Sequence, residues 1–329
     1  MVRIAIGAIF VMSALCASVS TLGQNAVPAP IGRLVDLGGR RLHQYCTGTG
    51  SPAVIIENGA AAFSIDCVHV QNGVSRFTEV CTYDRAGYAW SDRGPGQDTI
   101  EETIDDLHLL LVKSLVRPPY VLVGASLGAI YARAYQRRFP EHVGGIVFVD
   151  GTHDEAITFM SGGKRSPISL LSADELRVAF AEYEKGAPKP GAGKPDQEPL
   201  DRLPPDLRAA RFWAFSKLVD EVGLLPKGLA AAESWRQESS ALHRQRHRAH
   251  PLGSLPLVAM ERGVDVDETW HAQQRDLAAL STAGRVVTVE GSGHMIHLYK
   301  PEQVVQTIRE LVMSRRASQG KAAPKKPVG

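Results

Sequence analysis

The sequence predicts an α/β protein built on a doubly wound, mostly parallel sheet, with a helical cap inserted after the sixth strand. Three observations predict this class. Short apolar runs alternate with helical patterns along most of the chain, as in successive βαβ units. Most of these runs are continuously apolar, which is typical of strands buried on both faces. The alternation stops between Asp154 and Pro251, where the patterns are helical only.

The predicted strands are short runs rich in valine, isoleucine and leucine. They comprise residues 53–57, 80–84, 120–123, 146–150, 255–260 and 286–290. An alternating run at 42–46 is interpreted as the second strand of the sheet, which makes the run at 146–150 the sixth. Asp98 and Glu101 are spaced as a capping box, which predicts the start of a helix between the strands at 80–84 and 120–123. The last predicted helix opens at Pro301 and repeats apolar residues at helical spacing as far as Val312.

Length and composition define the domain organisation. A chain of 329 residues with 44% hydrophobic and 22% charged residues is sufficient for one large α/β core with a smaller cap. We assign the core to residues 27–153 and 251–315, the cap to residues 154–250, and a basic disordered tail to residues 316–329. The net charge is only +2, and no basic face is indicated, so no nucleic-acid partner is predicted.

Residues 1–26 are predicted to be a signal peptide or an N-terminal anchor. Arg3 precedes an uncharged apolar stretch, which small residues follow, as in a secretory signal. The stretch is also close to the length of a membrane span, so an uncleaved anchor is one alternative and a buried helix another. The protein is therefore expected to be exported, periplasmic or secreted, with membrane association only through this segment.

Residues 124–128 read Gly-Ala-Ser-Leu-Gly, a GxSxG motif. An apolar strand leads directly into it and a helical pattern follows it, which is the strand–turn–helix context of a nucleophile elbow. Such a turn strains the serine and exposes its hydroxyl above the sheet edge. Ser126 is therefore the candidate nucleophile. The alternative is a glycine-rich turn with an incidental serine.

A serine nucleophile needs a base within hydrogen-bond reach. His294 lies in Gly-Ser-Gly-His directly after the last predicted strand, where this motif order expects the base. His297 is the competitor and is interpreted as a packing or capping residue. His243, His247 and His250 are interpreted as a solvated helix face rather than a metal site, and no metal is predicted.

An oxyanion hole needs two backbone N–H donors directed at the developing negative charge. The residue after the nucleophile, Leu127, supplies one predicted donor. The second is expected in the loop after the strand at 53–57, which reads Glu-Asn-Gly-Ala-Ala, and Ala60 is the predicted donor. An ordinary Asn-Gly turn is the alternative for this loop.

The acid that orients the base must lie between serine and histidine in the chain. Asp150 ends the strand at 146–150, and Asp265 follows the strand at 255–260. Either carboxylate can hold the imidazole in the productive tautomer. Both remain candidates.

Five segments together resemble the capped α/β-hydrolase family. They are residues 54–59, 82–91, 123–128, 148–153 and 291–297, in family order across the core. Two features depart from the family pattern. Asn58-Gly59 replaces the familiar His-Gly of the oxyanion loop, and the Gly-x-x-Asp after the seventh strand is blurred around Arg262 and Gly263.

The resemblance implies a serine hydrolase that cleaves a carboxylic ester of a small-molecule acyl substrate without a cofactor. Amide or peptide cleavage and lactone opening are the alternatives within this chemistry, and a non-catalytic binding protein is the alternative outside it. Dehalogenases and epoxide hydrolases are similar in fold but use an aspartate nucleophile, which Ser126 argues against. Some of these relatives place their acid at the end of the sixth strand, where Asp150 lies, so the resemblance favours Asp150 over Asp265.

In this fold the second and fourth strands are usually neighbours. Cys46 lies in the predicted second strand and Cys81 in the fourth, so the two can face each other within reach of a disulfide. Cys67 is then expected to stay a buried thiol. In the simpler interpretation all three are small apolar core residues.

Overall fold

The computed structural model describes residues 27–161, 164–186, 197–219 and 229–322. Within these ranges the chain forms ten strands. They are β1 (Arg33–Asp36), β2 (Arg41–Thr47), β3 (Ala53–Glu57), β4 (Val80–Tyr83), β5 (Tyr120–Ala125), β6 (Val143–Val149), β7 (Thr158–Ser161), β8 (Lys164–Pro167), β9 (Leu257–Arg262) and β10 (Gly284–Val289).

Nine α-helices lie in the same described ranges. They are α1 (Val68–Val74), α2 (Ile100–Lys113), α3 (Gly128–Arg138), α4 (Ala173–Gly186), α5 (Pro205–Lys217), α6 (Leu229–Arg246), α7 (Glu268–Ala278), α8 (Ile296–Tyr299) and α9 (Pro301–Ala322).

Eight strands form one sheet in the order β1-β2-β4-β3-β5-β6-β9-β10. β1 pairs antiparallel with β2, and β2 pairs antiparallel with β4, whereas all other pairs are parallel. This topology confirms the predicted doubly wound, mostly parallel sheet. It also brings the carboxyl ends of β5, β6, β9 and β10 to one edge, where sites form in such sheets.

Helices cover both faces of the sheet. On one face α1 and α9 pack through residues such as Val70 and Ile308. On the other face α2, α3 and α7 pack through residues such as Ile104, Ile130 and Leu277. The strands from β3 to β6 are buried along their whole lengths, which explains their continuously apolar sequences.

The insertion between β6 and β9 is mainly helical. It contains α4, α5 and α6, and α6 packs against α2, α3 and α4. The sequence predicts no strand there, yet β7 and β8 form an antiparallel hairpin. The strand prediction was wrong here because four-residue strands are too short to give a periodic pattern. β1 was not predicted either, because it also has only four residues.

The N-terminus of α2 lies one residue later than predicted. Thr99, not Asp98, is the N-cap: its side chain accepts a hydrogen bond from the Glu102 backbone at 3.1 Å. The Glu102 side chain completes the capping box by accepting a hydrogen bond from the Thr99 amide at 3.0 Å. Asp98 instead has a φ of 57°, in the left-handed region, and Glu101 is solvent-exposed in the first turn.

The chain termini differ from the predictions in one respect. α9 continues to Ala322, so the first residues of the predicted disordered tail, 316–329, are helical. Arg316 anchors this end because its guanidinium donates to the carbonyls of Ser51 and Phe77 at 2.7 and 2.9 Å. The predicted leader, residues 1–26, and residues 323–329 lie outside the described residues. Among the described helices none is both long and apolar enough to cross a membrane.

Cys46 and Cys81 are joined by a disulfide across the β2–β4 ladder, where they are register partners with Cα atoms 4.1 Å apart. The interpretation with a Cys46–Cys81 disulfide is therefore correct, and the interpretation with three free thiols is wrong. Cys67 is a buried free thiol, and burial raises its pKa. The strand order decides this outcome, because it places β4 beside β2.

Candidate active site

Ser126 lies at the sharp turn between β5 and α3. Its φ is 50°, in the left-handed region that is unfavourable for a residue with a side chain. The turn is held because the Ser126 amide donates to the Val149 carbonyl at 3.0 Å and the Ser126 carbonyl accepts from Thr152 at 2.9 Å. These bonds fix the strained backbone and leave the hydroxyl at the edge of a cavity.

Two glycines make this turn sterically feasible. A Cβ atom at Gly128 would lie 2.0 Å from the Glu57 carbonyl oxygen, and one at Gly124 would lie 2.7 Å from the Gly128 oxygen. Real Cβ atoms do not come so close to backbone oxygens. The GxSxG spacing is therefore required by the close approach of β3 to the start of α3.

His294 contacts Ser126. Its Nε2 atom lies 2.9 Å from Ser126 Oγ, and its side chain is 46% exposed. His297 lies one helical turn further along, in α8, and is buried. Burial, together with the nearby positive charges of His294 and Arg211, lowers the pKa of His297 to about 4. The structure thus places His294, not His297, against the serine.

Asp150 completes the chain of contacts. Its Oδ2 atom lies 2.5 Å from His294 Nδ1, and its side chain is fully buried at the carboxyl end of β6. Burial alone would raise the pKa of Asp150, but hydrogen bonds and charge from His294 and Arg262 outweigh it and lower the pKa. Asp150 is therefore held as a carboxylate facing the imidazole.

Asp265, the other candidate acid, does not face His294. It is exposed, with a φ of 55°, in the loop after β9. Its backbone carbonyl accepts from the Arg262 guanidinium at 3.2 Å. Asp265 is not the partner of the histidine, because β6 lies between β5 and β9 in the sheet. Asp150, at the end of β6, therefore lies between the turn after β5 and the loop after β9.

Two residues that the sequence analysis did not assign hold the Asp150 carboxylate. Arg262 donates to Asp150 Oδ2 at 2.5 Å through its guanidinium and to Oδ1 at 3.1 Å through its backbone. Trp270 donates its indole N–H to Oδ1 at 2.9 Å, and its ring lies 4.3 Å from the Arg262 guanidinium carbon. The sequence offered one signal for Arg262, a basic residue just after the predicted strand at 255–260.

The predicted oxyanion donors, Ala60 and Leu127, line the same cavity as Ser126. A Cβ atom at Gly59 would lie only 3.1 Å from the Ser126 Cβ, so the loop after β3 packs directly against the turn. Over the residues that the structure describes, neither the Ala60 nor the Leu127 amide donates to a backbone or side-chain acceptor. Both N–H groups remain available to a bound molecule.

Arg85 holds the loop after β3 in place. Its guanidinium donates to Glu57 Oε1 and the Asn58 carbonyl, both at 2.7 Å, and to the Gly59 carbonyl at 2.5 Å. Burial raises the pKa of Glu57, while the Arg85 charge opposes that effect. Arg85 lies within the family-like segment at residues 82–91, but its role could not be predicted, because nothing in the local sequence shows that β4 lies beside β3.

The cavity at Ser126 has a volume of about 520 Å³. This size fits a small organic molecule. The insertion supplies part of the cavity wall. The apolar and aromatic lining residues are Ala60, Ala86, Tyr88, Pro95, Leu127, Tyr131, Ile157 and Trp235; the charged ones are Arg40, Arg85, Asp98, Glu102, Asp105 and Asp106.

Comparison with known families matches residues 50–307 to the alpha/beta hydrolase family. The match covers more than half of the chain. The protein therefore belongs to the alpha/beta hydrolase family, as its five motif segments predicted.

Individual relatives are distant. A protein of Hormonema carpetanum described as "Probable transporter efuK" is 24% identical over 89% of this chain and 44% of its own length. An "AB hydrolase superfamily protein" of Gibberella zeae is 27% identical over 79% of this chain and 86% of its own. The chain spans less than half the length of the first curated relatives it matches.

Among solved structures, a thermophilic esterase from Thermogutta terrifontis superimposes with a TM-score of 0.55 at 20% identity. The superposition covers 84% of this chain and 94% of that one. At this level of identity the similarity shows the fold.

Proposed function

We propose that this protein is a serine hydrolase that cleaves a carboxylic ester through an acyl-enzyme. One observation carries the proposal: an unbroken series of contacts runs from Ser126 Oγ through both nitrogens of His294 to the Asp150 carboxylate. Nucleophile, base and orienting acid in this geometry are the requirements of acyl transfer.

In the proposed mechanism Ser126 Oγ attacks the substrate carbonyl carbon while His294 Nε2 accepts the hydroxyl proton. The amides of Ala60 and Leu127 stabilise the resulting oxyanion. His294 then returns the proton to the departing alcohol oxygen, which leaves an acyl group on Ser126. Water, deprotonated by His294, attacks this acyl group, and His294 returns that proton to Ser126 Oγ as the carboxylic acid leaves. Asp150 stabilises the imidazolium in both halves.

The cavity supports a small-molecule substrate. Its apolar and aromatic wall suits the hydrocarbon part of an acyl group, and Trp235 and Ile157 come from the insertion. We propose that the insertion acts as a cap whose residues set acyl-chain preference. Esters are proposed over amides because an alcohol leaves more readily than an amine from a tetrahedral intermediate.

A fluorophosphonate probe is expected to label the purified protein at Ser126, and Ser126→Ala is expected to abolish labelling. A panel of p-nitrophenyl acetate, butyrate and octanoate, an aminoacyl p-nitroanilide and a simple lactone then ranks the substrates by kcat/KM. Esters should exceed the anilide by at least roughly tenfold. If the probe labels Ser126 but the anilide or the lactone is hydrolysed faster than the esters, the substrate class is reassigned. If there is neither labelling nor turnover, the protein is a binding protein.

Arg262 is expected to position the Asp150 carboxylate for this reaction. Its guanidinium donates at 2.5 Å to Asp150 Oδ2, the oxygen that faces His294 Nδ1. In Arg262→Gln the carboxylate loses this charged donor, so kcat for ester hydrolysis should fall by roughly tenfold, about the contribution of one hydrogen bond to a charged group. The measurements are kcat and the melting temperature of the purified variant.

Arg275→Gln is the matched control. Arg275 pairs with exposed Glu268 on α7 and does not contact Asp150 or His294, so its kcat should not change. If Arg262→Gln keeps the wild-type kcat per folded molecule and merely lowers the melting temperature, Arg262 is only structural.

A further inference from the structure

A second cluster of chemically capable side chains lies away from Ser126, at the C-terminal end of α6. His243 and His247 are one helical turn apart, and Glu155 follows β6. The structure brings potential ligand atoms of all three within 4.8 Å of one another. We propose that these residues form a binding site for a d-block divalent metal ion such as Zn²⁺, which ties the start of the insertion to the end of its last helix, α6.

The spacing of the two imidazoles already matches that of metal ligands. His243 Nε2 and His247 Nε2 lie 3.2 Å apart. Two nitrogens bound to one tetrahedral Zn²⁺ at 2.0–2.1 Å lie about 3.3 Å apart. Without a metal, one imidazole must donate its N–H to the other; a metal ion replaces that proton and is bound by both lone pairs. Imidazole nitrogen selects zinc, copper or nickel rather than calcium or magnesium.

The tautomer of His243 is arranged for this role. Its Nδ1 atom faces carboxylate oxygens of Glu155 at 3.1 Å and Asp154 at 3.4 Å. When Glu155 turns toward the ion and Arg246, now 3.3 Å from Nδ1, is released with it, Asp154 remains to accept the Nδ1 proton. The Nε2 lone pair is then free toward His247. A carboxylate on the far nitrogen of a ligating histidine is the usual outer arrangement of metal sites.

Asp154 provides an independent indication. It is fully buried, and its Oδ2 atom makes no hydrogen bond among the described residues. Its other oxygen accepts from Arg133 at 2.8 Å. Oδ2 faces His243 Nδ1 at 3.4 Å and Arg246 Nε at 3.5 Å, so it is placed to accept the Nδ1 proton of a metal-bound His243.

Arg246 is the competing cation. Its guanidinium donates to Glu155 at 2.5 Å, so metal binding has to release this pair. The release is feasible because Arg246 also donates to Asp276 at 3.1 Å and lies 3.5 Å from Asp154. Glu155 is one-third exposed and free to turn toward the two histidines. Water completes the coordination sphere.

Binding of Zn²⁺ to tag-free protein, measured by isothermal titration calorimetry, tests the site. One ion per chain is expected, and His247→Ala should weaken binding at least roughly tenfold. His247 is exposed, so this variant should fold normally. Co²⁺ in place of Zn²⁺ should give the intense visible absorption of a tetrahedral site, which His247→Ala should abolish.

Two control variants locate the ion. His250→Ala should not change binding, because His250 is exposed and bonds instead to the Ala279 carbonyl at 3.1 Å. His294→Gln should also leave binding intact if the ion lies on α6. Zn²⁺ binding that survives His247→Ala, or disappears in His294→Gln, overturns the proposal, as does the absence of stoichiometric binding.

Discussion

Replacing Ser126 by alanine is expected to lower kcat for ester hydrolysis by at least about 10⁴-fold, because the acyl-enzyme has no other oxygen on which to form. The residual rate should be what binding and the two amides supply without a nucleophile. The melting temperature should change by no more than roughly 2–4 °C, since Ser126 is partly exposed and its hydroxyl bonds only to His294 among the described side chains.

Ser64→Ala is an informative control for that result. Ser64 Oγ contacts His43 Nδ1 at 3.3 Å and Asp84 Oδ2 at 3.1 Å, so the same three residue types meet a second time. All three are buried, however, and no substrate reaches them. Ser64→Ala should reduce stability and leave kcat per folded molecule within about tenfold of wild type. An active Ser126→Ala variant, or an inactive but folded Ser64→Ala variant, contradicts our assignment of the nucleophile.

Asp150→Asn is expected to lower kcat by roughly 10⁴-fold, as the equivalent change does in a serine protease. The amide presents its NH₂ group or a neutral oxygen to His294 Nδ1, which favours the wrong tautomer and leaves the imidazolium unstabilised. Because the pKa of Asp150 is lowered, its carboxylate stays charged as the pH falls below the ordinary aspartate range, so the wild-type acid limb is not expected to report this residue.

Asp265→Asn is the matched control, and it should change kcat by less than about tenfold because the Asp265 side chain is exposed. Both variants should be assayed by kcat and by thermal melting, since Asp150 is buried and also accepts from Arg262 and Trp270. Equal, small losses of kcat in both folded variants would show that neither residue orients His294.

The local sequence determined the buried strands, the turn at Ser126 and the positions of the candidate nucleophile and base. The strand at 53–57 matches β3 at both ends, because a run buried on both faces is continuously apolar. The turn at Ser126 is fixed by two glycines whose Cβ atoms would collide with backbone. The positions of Ser126 and His294 follow from motifs beside predicted strands, so short-range chemistry was enough to place them.

Only the tertiary structure decided which residues meet from distant segments. Asp150 and Asp265 both end or follow a strand, and their distance from His294 depends on the strand order, which local sequence does not encode. The same reason applies to the disulfide, since Cys46 and Cys81 are partners only because β4 pairs with β2. Arg262 was likewise assigned only when β9 was seen beside β6. Contacts across the sheet are set by the packing of the whole chain, and periodicity records only the burial of each segment.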